Sequence, residues 1–92
     1  MSNLIHTPET LREVESWAEL PLTLAEIAKL MEIEEAALAI AMDQPDTPLG
    51  AALIRGRLRT KAELYKSILK HAKQGSTPAQ AMALQLLATQ GP

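Results

Sequence analysis

The sequence predicts an all-α protein: a five-helix domain with a helix-turn-helix, then a long basic helix and a short C-terminal helix. Three observations lead there. Threonine–proline pairs at Thr7-Pro8, Thr47-Pro48 and Thr77-Pro78 are helix starts. In each, the hydroxyl accepts an orphan N–H, and proline at the first helical position gives up an N–H that lacks an intrahelical partner. The 47% hydrophobic fraction is built mostly from Ala and Leu, with one Trp, one Tyr and no Phe. That is too apolar for a disordered chain and too poor in aromatic and β-branched residues for a β-sandwich or barrel. Finally, 92 residues are enough for a modest core, so 1–92 is expected to form a single helical domain.

The elements follow in chain order. Leu11, Val14, Trp17 and Ala18 repeat at helical spacing after Pro8, which predicts a first helix over 8–20 with one apolar face, ended by Pro21. Thr23-Leu24-Ala25-Glu26 is a capping box, so a second, short helix is expected over 24–31, and a third over 34–43, stopped by Gln44-Pro45. Pro48 opens the longest element, expected to reach about 74 and to end at Gly75 as its C-cap glycine. The last helix is expected over about 78–89, capped by Thr77 with Gln80 completing a capping box.

Residues 23–43 have the apolar spacing of a helix-turn-helix. Ile27 and Met31 form an inward stripe, Ala28 is small where two helices cross, Ile33 plugs the turn, and Leu38 and Ala41 face the same core. Its second helix, Glu34 to Met42, contains no Arg, Lys, Asn or Gln, the side chains that pair with base edges, and it begins with two carboxylates. Its geometry therefore suits packing or protein contact at least as well as groove reading.

Charge is distributed unevenly. Residues 1–46 hold ten acids against Arg12 and Lys29, and residues 47–92 hold seven bases against Glu63. On a wheel of 100° per residue, Arg55, Arg59, Lys66, Lys70 and Lys73 fall within a sector of about 60°. Ile54, Leu58, Ala62, Leu64, Tyr65, Ile68, Leu69 and Ala72 lie on the other side. Arg57 and Lys61 project towards that apolar side, so they must snorkel, pair with an acid or meet a partner. The cationic ridge has three readings: a solvated face, a contact with the acidic half of this or a neighbouring chain, or a phosphate contact. Without aromatic stacking platforms, double-stranded DNA is the better nucleic-acid expectation. The candidate interface is Arg55, Arg57, Arg59, Lys61, Lys66, Lys70 and Lys73.

No catalytic, metal or cofactor site can be assembled. His6 and His71 are far apart in sequence, there is no cysteine, and the glycines at 50, 56, 75 and 91 never cluster into a phosphate loop. Ser67 lies one turn before His71 without an orienting acid, while Glu34-Glu35 and Asp43-Asp46 read as helix-start and turn acids. The start of the chain has no signal-peptide pattern, and the longest apolar run, Ala36 to Met42, is far short of a membrane span. A cytoplasmic protein with no membrane contact is the expectation.

From about 20 to 90 the order of parts resembles the small terminase subunits of tailed bacteriophages and prophages. The resemblance rests on Ala52-Leu53-Ile54-Arg55-Gly56-Arg57 and, about 15 residues on, the Ala-x-x-Gly-polar-x-x-Ala turn of Ala72, Gly75, Ser76 and Ala79 within the run Ile68 to Ala79. Leu84, Leu87 and Gln90 in the closing helix complete it. It implies recognition of double-stranded phage DNA in a bacterial host cell to begin genome packaging, as a homo-oligomer that hands DNA to a separate large terminase subunit. The chain departs from the family pattern in having Ser76 where Asn is common and no Trp near Met82–Leu84. The alternative is a helical protein–protein interaction module of phage or mobile-element origin that binds no nucleic acid.

Overall fold

The computed structural model describes residues 7–89. It contains α1 (Pro8–Ala18), α2 (Leu24–Met31), α3 (Glu35–Met42), α4 (Pro48–Lys73) and α5 (Thr77–Ala88), with no strand among the described residues. They group into two compact units, one up to Thr60 and one from Lys61 onwards, and α4 contributes to both. Leu4, Ile5, His6, Gln90 and Gly91 lie outside the described residues.

In the first unit the helix starts form as expected. Thr7 accepts a hydrogen bond from the Thr10 amide, and Thr47 accepts one from the Gly50 amide. Thr23 and Glu26 form the full capping box, each side chain accepting the other's backbone N–H. Packing α1 on α2 and α2 on α3 buries Val14, Ala18, Ile27, Ala28, Leu38 and Ala41, and the first turns of α4 add Leu49, Ala52 and Leu53. Leu11, Trp17, Met31 and Ile33 pack against this core while remaining partly accessible.

The turn between α2 and α3 is built on a residue that the sequence pattern does not mark. Glu32 has φ 55°, in the left-handed region. Its N–H donates to the Lys29 carbonyl and the Ile33 N–H to the Ala28 carbonyl, the pair of bonds that defines a Schellman ending, with Ile33 set over Ala28. A glutamate here carries the Cβ penalty that glycine escapes. The turn is retained because Ile33 and the helices on both sides hold it.

Gly56 lies where α4 crosses α1. A Cβ at this position would sit 2.7 Å from Ala18 Cβ and would also collide with the Glu15 carbonyl oxygen. The close approach needs a residue without a side chain on both counts.

The second unit is a hairpin of the C-terminal part of α4 and α5. Gly75, at φ +99°, ends α4 as expected, with Ser76 N–H donating to the His71 carbonyl and Gly75 N–H to that of Ala72. The start of α5 corrects the sequence reading. The N-cap is Ser76, whose Oγ accepts from the Ala79 amide, and Thr77 is already helical. Gln80 forms no capping box, since its amide nitrogen donates to the Ala72 carbonyl of α4 instead. Serine can cap as well as threonine, and starting the helix one residue earlier leaves Gln80 free to bond across the hairpin. Among the described residues of this unit, Ile68, Ala79 and Ala83 are buried, while Leu64, Leu69, Met82, Leu84 and Leu87 are exposed.

Exposed mid-helix Gly→Ala changes stabilise by about 1 kcal/mol. At Gly56 the sign reverses, because overpacking against rigid backbone typically costs about 1–3 kcal/mol. Gly56→Ala is therefore expected to lower the thermal midpoint, by roughly 4–8 °C for each kcal/mol lost, as measured by circular dichroism.

Candidate nucleic-acid interface

The structure divides the seven predicted cations into two groups with different surroundings. The three arginines, in the first unit, are engaged by α1. Arg55 Nε lies 2.8 Å from Glu15 Oε1, and Arg59 Nη1 lies 2.6 Å from Glu15 Oε2 and 3.0 Å from Glu19 Oε2. Glu15 on α1 and Glu19 at its C-cap are four residues apart, as Arg55 and Arg59 are on α4, so the two segments present matched ladders. The Arg55 hydrogen bond holds the Glu15 carboxyl below its ordinary 4.5, aided by Arg59 and opposed by partial burial. The same contacts raise Arg59 above its usual value, with the Glu15 hydrogen bond the main cause.

Arg57, partly buried, pairs with no acid among the described residues. Its Nη1 donates to the carbonyls of Ala18, at 3.2 Å, and Leu20, at 2.6 Å, and its Nη2 donates to that of Leu22. Thr60 adds a hydroxyl donation to the Glu19 carbonyl. The last carbonyls of a helix have no intrahelical donors, and α1 ends there because Pro21 cannot continue it. A planar guanidinium bonds the Ala18 carbonyl together with two carbonyls of the segment that follows, and places positive charge at the negative end of the α1 dipole.

The four lysines, in the second unit, differ. Lys61 has its ammonium 5.6 Å from the centroid of the Tyr65 ring, a cation–π contact. Lys66, Lys70 and Lys73 are exposed, and none forms an ion pair among the described residues. Their spacing of four and three residues stacks them along one side of α4. Sequence reasoning grouped Arg55 and Arg59 with this set because a single wheel assumes one solvent face along the whole helix. The matched Glu15/Glu19 spacing was the available sign of their real partners, and it becomes legible only once α1 is known to cross α4.

On α3, Ala36, Ala39 and Ile40 are exposed beside Glu35 and Asp43. No group of three or more His, Cys, Asp or Glu side chains converges as a metal site among the described residues, and no described helix is long and apolar enough to cross a membrane. The chain matches no protein-family model, no curated protein and no solved structure.

Two outcomes are expected. Arg57→Ala should cost about 2–3 kcal/mol in denaturant unfolding, since charged-group hydrogen bonds contribute about 1.5–3 kcal/mol. Arg57→Lys should recover less than half of that, because one ammonium cannot serve three divergent carbonyls. For Glu15, the depressed folded value means that its stabilising contribution is present above the unfolded value of about 4.5 and fades as pH falls through the folded one. Thermal midpoints of wild type and Glu15→Gln should therefore differ at neutral pH and converge in acid.

Proposed function

We propose that this chain is a non-catalytic, double-stranded-DNA-binding accessory protein of the small terminase type, acting as an oligomer at the start of DNA packaging and passing DNA to a large terminase subunit. The observation that carries the proposal is the set Lys66, Lys70 and Lys73: exposed, aligned on one helix face and free of carboxylate partners among the described residues. Such a row supplies the charge that phosphates require and none of the patterned donors that bases require. Lys61 is a secondary contact, its ammonium partly committed to Tyr65. Arg55, Arg57 and Arg59 support the interface indirectly, since their donors are engaged with α1.

Oligomerisation is supported by the exposed leucines of the second unit, Leu84 at 68% and Leu64 at 56% among them. Apolar side chains left open to this degree on a two-helix hairpin suit a neighbouring subunit. The alternative, a protein-interaction module without nucleic acid, draws on α3, whose exposed face offers alanine and isoleucine where a groove-reading helix offers hydrogen-bonding side chains.

Fluorescence anisotropy of a labelled duplex separates the two. Three phosphate contacts give a slope of log K against log salt of about −3. Lys66→Glu with Lys70→Glu should abolish most of the binding while leaving helicity intact, whereas Arg55→Ala should change stability more than the slope. Flat anisotropy at low salt and high protein concentration would sink the DNA reading in favour of the interaction module.

A further inference from the structure

We infer that the second helix of the helix-turn-helix is a docking surface for a second copy of this chain, receiving the lysine row of that copy's α4. This rests on the oligomeric part of the reading above, and it makes a neighbouring subunit and phosphate alternative, competing occupants of the same three lysines. On α3, Ala36, Ala39, Ile40 and the following Asp43 occupy a sector of about 100°, with Glu35 at its edge. Ile40 is 59% exposed, and neither Glu35 nor Asp43 has an ion-pair partner among the described residues. The surface is an apolar strip with a carboxylate at each end, and it carries no donor for a base edge.

The lysine row matches it in chemistry and length. Eight residues separate Glu35 from Asp43, about 12 Å along a helix axis, and seven separate Lys66 from Lys73, about 10.5 Å. Leu69, 39% exposed, flanks the lysines and supplies the apolar counterpart to Ile40. Alanine at 36 and 39 removes the bulk that would hold two helices apart, so the axes can approach at the short end of the usual 8–10 Å range. The sign of charge selects the occupant: a helix carrying Glu35 and Asp43 repels another α3 and attracts the basic row. Because the two surfaces differ, α3 of one copy meets α4 of another, either reciprocally across a two-fold axis or head-to-tail.

The chain contains no cysteine, so Ile40→Cys and Leu69→Cys each introduce a single thiol. An equimolar mixture of the two variants, oxidised gently at low salt without DNA, should form the mixed disulfide dimer at least about tenfold faster than either variant alone forms its own. Adding Glu35→Lys and Asp43→Lys to the Ile40→Cys chain should abolish it. So should adding Lys66→Glu and Lys73→Glu to the Leu69→Cys chain, and mixing the two reversed chains should restore it. Faster coupling by either single variant alone would mean a contact between like helices and overturn the inference. Absent coupling, or coupling indifferent to charge reversal in chains of unchanged helicity, would overturn it too. The measurement involves no nucleic acid, so failure of the duplex titration leaves its outcome untouched.

Discussion

The first unit is organised around one guanidinium. Helix α1 must stop before Pro21, and the carbonyls of Ala18, Glu19 and Leu22 then take donors from α4 side chains, as does that of Leu20 in addition to the Leu22 amide. Arg57 supplies three of those bonds and Thr60 a fourth. Gly56, the residue beside Arg57, permits the close crossing that brings the guanidinium within reach. Leu49, Ala52 and Leu53 complete the core beneath. Since Thr23 caps α2 immediately after Leu22, the helix-turn-helix begins at the point where this clamp ends.

That constraint also decides the fate of the neighbouring charges. Once α1 lies against α4, Glu15 and Glu19 stand opposite Arg55 and Arg59, and the four groups neutralise one another at the surface of the first unit. Exposed pairs of this kind contribute little stability, but they withdraw two cations from anything outside the molecule. Of the seven cations on α4, those without a carboxylate partner belong to the second unit, Arg57 with its carbonyl partners aside. Glu35 and Asp43 are among the carboxylates of the first unit without an ion-pair partner among the described residues.

Much of the architecture was legible in the sequence because its signals are local. Hydroxyl caps, prolines and the terminal Gly75 act within one turn, and the helices at 24–31 and 48–73 end within a residue of their expected limits. The start of α5 shifted because Ser76 and Thr77 are both competent caps, a choice that turns on the bond from Gln80 to Ala72. The left-handed Glu32 was invisible for a different reason: its conformation is imposed by packing around Ile33 and not by its own preference. The partners of Arg57 are backbone carbonyls, which no residue pattern reveals. Splitting the basic row required knowing that the halves of α4 bury different residues, Leu49, Ala52 and Leu53 in one and Ile68 in the other.

Among the described residues, the second unit buries one isoleucine and two alanines, against nine apolar residues in the core cluster of the first. So small a core barely offsets the chain entropy of a helical hairpin. Amide protons there should exchange with solvent through openings far less costly than global unfolding, while those of Val14, Ile27 and Leu53 await the global event. On that expectation the lysines proposed to meet phosphate sit on the part that opens first. Ordering that part and engaging its partner are then a single coupled equilibrium, and apparent affinity carries the cost of local folding within it.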